Sequence, residues 1–469
     1  MKAKLLLFLF LFTSILFSQT TFLKYFDEGY SEGKQIINTK DDNYLIIGNI
    51  KDTVTYCAYV IKIDQLGNLI WSKTYGDSNH VQIQSVCESS NGSLYFSGYN
   101  NWKLWILNTN SSGDSLWSRT YDFRTGTSIL EANDSGLLIL TSNELEELCL
   151  LKIDESGNII WTRNYSFTYE AYGYNIISVN DTGYAITATL GIHGDSGIMF
   201  MKINNVGDTL VYNRYSYNQY SENGGSVVET DDEGYFICGY CADRNPDFNY
   251  NAWLIKTDSM GDTSWTVCYK NKSSYAFSGI QLENGKYIAA GGISGGEYPG
   301  NIFLIKLFND GTIEWTREIG NVDSTSFRTN SIIETVDGGY LLTGYSLFHT
   351  GYDCGKNIQR LIVVKTDSMG QVLTSNISNY IIPEFTLSQN RPNPLNPTTT
   401  IEFAIPEPQH IKLQVFDITG RLVETLVDEF KGAGNWDVKW NAGSYSSGIY
   451  IYRLVYGDRQ ISRKMVVLK

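Results

Sequence analysis

The residues IKTDSMGDTSWTVCY (255–269) decide the fold, because the chain carries six further versions of them. These are IKIDQLGNLIWSKTY (61–75), LNTNSSGDSLWSRTY (107–121), LKIDESGNIIWTRNY (151–165), MKINNVGDTLVYNRY (201–215), IKLFNDGTIEWTREI (305–319) and VKTDSMGQVLTSNIS (364–378). KTDSMG itself is written twice, at 256–261 and at 365–370. All seven share a glycine (Gly67, Gly113, Gly157, Gly207, Gly261, Gly311 and Gly370), at separations of 46, 44, 50, 54, 50 and 59 residues. Five place a tryptophan four residues later: Trp71, Trp117, Trp161, Trp265 and Trp315. A second signature, seen in DDEGYFICGY (231–240) and VDGGYLLTGY (336–345), alternates strictly with the first and also occurs seven times. An internal repeat of about fifty residues has to be read before any single residue is.

Each unit reads as four short strands, A to D. NSIIETV (330–336) is an A strand and GYLLTGY (339–345) a B strand, while AWLIKTD (252–258) is a C strand and the tryptophan segment is D. Asp, Asn or Ser precedes glycine in both turns, the chemistry of tight hairpins with a left-handed residue. C strands are apolar on both faces, as in a sheet covered on both sides. In WSKTY, Trp71, Lys73 and Tyr75 share one face, where the lysine stem lies over the rings and its charge guards an outer edge. Seven such units predict an all-β, seven-bladed β-propeller. TFLKYF (21–26) looks like a stray D strand, and the last unit lacks the D-strand Trp and Tyr, so the N-terminal strand is expected to complete the last blade. An open solenoid is the competing arrangement.

Composition agrees with many tight turns: 43 glycines and 33 tyrosines stand against 8 prolines in 469 residues. With 36 basic and 50 acidic residues the net charge is −14, which argues against nucleic-acid or anionic-membrane partners. Lys2 and Lys4 precede an apolar run from Leu5 to Phe17. Such a run spans only about 20 Å as a helix, so residues 1–19 are expected to be a secretory signal cut near Ser18 to Thr20. No later stretch is long and apolar enough to be a transmembrane segment. Seven cysteines match no zinc or redox pattern beyond CGYC (238–241), which is placed across a strand end, and they are expected to be small buried thiols.

Composition shifts at Pro383, and six of the eight prolines fall between there and Pro408. The rest of the chain alternates like a small antiparallel sandwich, giving a division into residues 20–382 and 383–469. NPLNPTTTIEF (393–403), VFDITGRLV (415–423), SGIYIYRL (447–454) and KMVVLK (464–469) carry a resemblance over residues 385–469. That block resembles the type A C-terminal sorting domain of the type IX secretion system. Family members usually have an aromatic residue where Arg391 stands and Phe where Leu395 stands. The matching motif residues are Asn393, Pro394, Asn396, Pro397, Asp417, Gly420, Gly448 and Lys464. The resemblance implies an immunoglobulin-like sandwich, passage through the periplasm and export to the surface or medium. It further implies handling by the type IX machinery and its sortase, with attachment to surface lipopolysaccharide after processing.

In a propeller the uniform glycine turns lie on one face and the variable B–C and D–A connections on the other. Tyrosine, Asp and Arg crowd the variable segments, including SFTYEAYGYN (166–175), SYNQYSENGG (216–225) and CADRNPDFNYN (241–251). Tyr172, Tyr220, Arg244, Tyr250, Tyr298 and Tyr352 are the candidate binding residues, since loops on a rigid scaffold carry recognition and rings with polar neighbours suit sugars or proteins. The competing reading is that these tyrosines cap blade junctions. No calcium loop with spaced carboxylates is present. His80, His193 and His349 come from distant blades, so no metal and no cofactor is expected. Asp243, Asp247 and Glu297 are loop carboxylates without an evident pairing, and no hydrolase motif appears. A binding or adhesion module for glycan or protein is therefore the first expectation. A secreted hydrolase or lyase acting on polysaccharide or peptide is the second.

Overall fold

Six copies of the repeat each fold into one four-stranded antiparallel sheet in the order A, B, C, D, and the seventh supplies strands A, B and C of a seventh such sheet. The computed structural model describes residues 19–26, 30–51, 55–76, 80–180, 183–191, 196–217, 222–242, 250–270, 272–294, 300–320, 325–348, 358–372, 386–405, 409–431, 434–457 and 459–468. Blade 1 is Tyr30–Asn38, Tyr44–Lys51, Tyr56–Ile63 and Leu69–Tyr75. Blade 5, with the first KTDSMG, is Glu222–Glu229, Tyr235–Ala242, Tyr250–Thr257 and Thr263–Tyr269. Blade 7 takes Thr325–Glu334, Tyr340–Phe348 and Ile358–Thr366 from its own repeat, and its D strand is Phe22–Tyr25. That N-terminal strand pairs antiparallel with the C strand, Phe22 opposite Lys365 and Tyr25 opposite Ile362. Blade 1 packs in turn on blade 7, so the ring closes and the open solenoid is excluded.

The glycine turns explain the repeated motif. Asp258 and Asp367 each accept two backbone N–H bonds at 2.8–2.9 Å, from Met260 and Asp262 and from Met369 and Gln371. Gly261 and Gly370 then turn with φ of 78° and 71°. A β-carbon on Gly370 would lie 2.8 Å from Trp315 of the preceding blade, and one on Gly113 3.0 Å from Trp71. The D-strand face thus grips the next blade's turn. Tyr75, Tyr121 and Tyr165 donate to the carbonyls of Gly113, Gly157 and Gly207 at 2.7 Å each. Lys73 and Arg119 lie over Trp71 and Trp117 and reach the next blade as well. Phe22 and Lys24 do the same for Gly67, completing the circle.

At the centre, a second circle of bonds ties the A strands. Six of the seven A strands contain a bulge, and each of the seven, bulged or not, offers one backbone N–H to the preceding blade. The previous blade's polar side chain accepts from the next strand: Gln35 from Val86, Ser85 from Ile129, Ser128 from Ile176 and Asn175 from Val227. Ser226 accepts from Gly279, Ser278 from Ile332, and Ser331 from Ile36, all at 2.8–3.3 Å across the seven junctions. Between the blades lie separate apolar layers, such as Phe236, Leu254, Tyr287 and Phe303 between blades 5 and 6.

Two expectations are corrected here. CGYC does not straddle a strand end, since both thiols sit inside strand Tyr235–Ala242. Three residues apart, they point to opposite faces. Cys238 enters the core shared with blade 6, where burial pushes its thiol up to about 12, and Cys241 lies 3.5 Å from the Cys268 sulfur in the core shared with blade 4. The A strands also start earlier than read, so Tyr172 lies on strand Ala171–Val179 rather than in a loop. No helix of the described residues is long and apolar enough to cross a membrane.

The C-terminal residues form two sheets. One holds Thr386–Leu387, Thr398–Ile405 and Gly434–Asn441, and the other Leu422–Lys431, Gln409–Asp417, Gly448–Tyr456 and Arg459–Val467 in that spatial order. Leu395, Ile401, Phe403, Leu413, Trp440, Tyr452 and Met465 fill the space between them. Asn393 Oδ1 accepts from the Val466 N–H at 2.9 Å, Asp417 caps the turn at Gly420 (φ 84°), and Gly448 and Lys464 lie on neighbouring strands. Pro394 and Pro397 flank Leu395, which bridges to Val467, and the Pro397 carbonyl accepts from Ala442.

Candidate functional site

The seven A strands converge on a central channel of about 250 Å³. Its wall is made of Lys34, Gln35, Gln84, Ser85, Thr127, Ser128, Tyr174, Asn175, Phe277, Ser278, Asn330 and Ser331, with Gly224, Gly225 and Ser226. Hydroxyls, amides and two rings dominate. Among these lining residues there is no carboxylate, and the single ammonium, Lys34, pairs with Glu32 nearby at 2.6 Å.

Aromatic rings surround the channel where the variable connections begin. The second signature carries Tyr99, Tyr240 and Tyr345 directly after the B-strand glycine, and the register sets them opposite Gln82, Asn223 and Arg328 of the A strands. Tyr240 packs edge-on to Tyr275 and Tyr250 at 4.9 and 5.5 Å, Tyr275 stacks on Phe277, and Arg328 lies over Tyr275 at 5.3 Å. Burial and the neighbouring phenols hold the Tyr240 hydroxyl well above its usual range, so it stays a proton donor. Across the ring, Tyr30 meets Tyr56 and Tyr56 meets His80 at 4.8 Å.

Of the loop residues singled out in the sequence, Tyr220, Arg244, Tyr298 and Tyr352 lie outside the described residues, as do His193, His349, Asp243, Asp247 and Glu297. Tyr250 sits half-buried at the junction of blades 5 and 6 and belongs to the aromatic cluster just given. Tyr172 is exposed, and its hydroxyl lies 2.8 Å from Glu170 and 3.2 Å from Glu146, whose carboxylate also pairs with Arg124. These acceptors, with partial burial, raise the Tyr172 pKa well above its usual value. Sequence reading missed the mouth residues Tyr99, Tyr240, Tyr275 and Tyr345 and the carboxylate Glu146; the recurrent Gly-Tyr of SGY, CGY and TGY was the available signal for Tyr99, Tyr240 and Tyr345.

A further cavity, about 610 Å³, opens between blades 3 and 4 beside Phe167, Tyr169, Tyr212 and Arg214. Among the described residues no three His, Cys, Asp or Glu come together in a metal-ligating group.

Residues 391–468 match the family described as the secretion system C-terminal sorting domain. The C-terminal domain is thus the sorting domain that its motifs resemble, and the chain is a secreted or cell-surface protein. No curated protein matches the chain. Among solved structures, PorZ, a surface component of the type IX secretion system of Porphyromonas gingivalis, aligns at 12% identity over 92% of this chain and 69% of its own, with a TM-score of 0.34. The β-propeller domain of Cps50 (Swd1) from Myceliophteria thermophila aligns at 10% identity over 73% and 98%, with a TM-score of 0.44. A fungal alcohol oxidase of the AA5 family in complex with copper aligns at 9% over 96% and 100%, also at 0.44. The propeller assignment itself rests on the strand order and ring closure.

Proposed function

We propose that this chain is a non-enzymatic binding module, with the propeller taking a glycan or protein ligand at the aromatic mouth of its channel. The observation that carries this reading is the chemistry of channel and mouth: amides, hydroxyls and phenols on a rigid double-tied ring, with the described lining free of carboxylates. Such surfaces give large contact area at small entropic cost, and ordered scaffolds bind with little reorganisation. In this reading residues 1–19 direct the chain to the periplasm and are removed. The type IX machinery recognises residues 383–469 and carries the protein outward. Its sortase then replaces the tail with surface lipopolysaccharide, leaving residues 20–382 displayed.

The binding claim is tested by Tyr240→Ala and Tyr275→Ala in the full chain, scored by retention on immobilised polysaccharides and surface proteins. Loss of retention with an unchanged thermal midpoint supports it. Retention equal to that of the unaltered chain for both variants contradicts it.

One observation favours a second reading, a glycan-cleaving enzyme. Glu146 and Glu170 flank a single hydroxyl, a separation compatible with the roughly 5–5.5 Å between the carboxyls of retaining glycosidases. Against it, Glu146 is neutralised by Arg124, and Tyr172 occupies the space between the two acids. Fragment release that disappears in Glu170→Gln would establish the enzyme.

A further inference from the structure

We propose that Trp102, Tyr99 and His80 form a stacking subsite for pyranose rings of a polysaccharide bearing uronic acid carboxylates; this rests on the binding reading above and names its ligand class. The starting point is a turn that is built against its own backbone preference. Asn101 and Trp102 alone connect strands Leu94–Asn100 and Lys103–Thr109 of blade 2, with φ of 48° and 66°. Two-residue turns with two positive φ values favour Asn followed by Gly. Asn101 fits, but a bulky side chain in the left-handed region at the second place is an outlier. Strain of this kind is kept where the side chain has work elsewhere.

Burial does not compensate Trp102, which is 78% exposed. Instead its indole joins a set of near-parallel faces. Tyr99 lies 5.7 Å away at 10°, His80 6.3 Å away at 18°, and His80 and Tyr99 are 6.1 Å apart at 27°. Tyr56 closes the inner side edge-on to His80. The neighbouring groups are polar: Gln82 Nε2 lies 3.2 Å from His80 Nε2, and Asn101 Oδ1 accepts from the His80 backbone N–H at 3.4 Å. A pyranose has an apolar C–H face and an edge of hydroxyls, and flat rings bordered by amides and imidazole match both.

The charge at this place selects the kind of sugar. Lys51 is exposed and lies over Tyr30 and Tyr56 at 6.0 and 5.5 Å, with no ion pair among the described residues. The net charge of −14 repels an acidic polymer at long range, but that field is screened beyond about 8 Å at physiological salt, and the Lys51 ammonium held on aromatic faces next to the platform acts on a carboxylate in direct contact with it. The uronic acid supplies that carboxylate.

The test titrates the full chain with polygalacturonate and with its fully methyl-esterified form, which removes charge and keeps the sugar backbone. Binding is read by calorimetry and by tryptophan emission. The acid polymer is expected to bind and the ester to bind at least several-fold more weakly. Trp102→Gly is expected to lose affinity at least tenfold and to melt at the same or a higher temperature, because glycine relieves the turn. Lys51→Gln is expected to weaken the acid polymer alone. Undiminished binding by Trp102→Gly, a clear fall in its melting temperature, equal affinity for the ester, or no binding of polygalacturonate by the unaltered chain each overturns the proposal. If polygalacturonate is ignored but a surface protein is retained, this inference falls and the binding reading stands. Fragment release by the unaltered chain would overturn the binding reading itself.

Discussion

Ser331 and Ile36 are 295 residues apart, yet a single hydrogen bond of 3.2 Å between them seals the seventh junction of the inner ring. Ser331→Ala would leave a buried N–H without an acceptor, and a loss of about 1–3 kcal/mol in denaturant unfolding is the expected outcome. Lys365 makes a comparable point with charge. It is 1% exposed and pairs with Asp337 at 2.7 Å, as Lys62 does with Asp41 and Lys256 with Asp232. Burial alone would raise the Asp337 carboxyl, but the Lys365 and Thr335 bonds outweigh it and hold its pKa below the usual value. Asp41 and Asp232 are lowered in the same way. A folded-state pKa below the unfolded one gives stability that is complete above about pH 4 and is lost as pH falls below it. Melting temperature should therefore drop below about pH 4, and Asp337→Asn should flatten that drop while lowering the neutral-pH value. An equally steep acid limb in the variant would contradict the assignment. The Asp-to-Gly turns were legible because their cause is local. The serine ring was not, since Ser85, Ser226 and Ser278 look like ordinary strand polar residues until seven strands meet.

Strands show the same division between what is near and what is far. The C and D strands were read with their faces correct, because Trp71, Lys73 and Tyr75 alternate in the sequence as they do on the sheet. TFLKYF was read as a D strand from the same pattern, and it supplies Phe22 where other blades supply tryptophan. Phe22 is 4% exposed and covers Gly67, so Phe22→Ala should cost about 3–5 kcal/mol. Deletion of residues 19–26 should expose the edge of Ile358–Thr366 and promote association through it, measurable by size-exclusion chromatography. A monomeric deletion variant of unchanged stability would argue that the clasp is dispensable. The starts of the A strands were misjudged because bulges break their alternation at Gly33 to Gln35 and Gly173 to Asn175. That misreading put Tyr172 in a loop, and it hid Tyr275 entirely.

For the whole molecule, address was more legible than ligand. The sorting domain is a contiguous block whose motifs can be matched directly, whereas the mouth draws Tyr99, Tyr240, Tyr275 and Tyr345 from four blades and is assembled only by ring closure. Removing residues 391–468 should leave the protein inside the cell envelope, measured by fractionating cells and medium. Equal release without the tail would contradict the sorting route. The central claim, that the propeller binds without cleaving, is tested most directly by incubating the full chain with a panel of polysaccharides and surface proteins and scoring retention and released fragments in the same tube. Retention that saturates, with no fragments accumulating over time, is the predicted result. Fragments that grow with time and vanish in Glu170→Gln would show an enzyme instead.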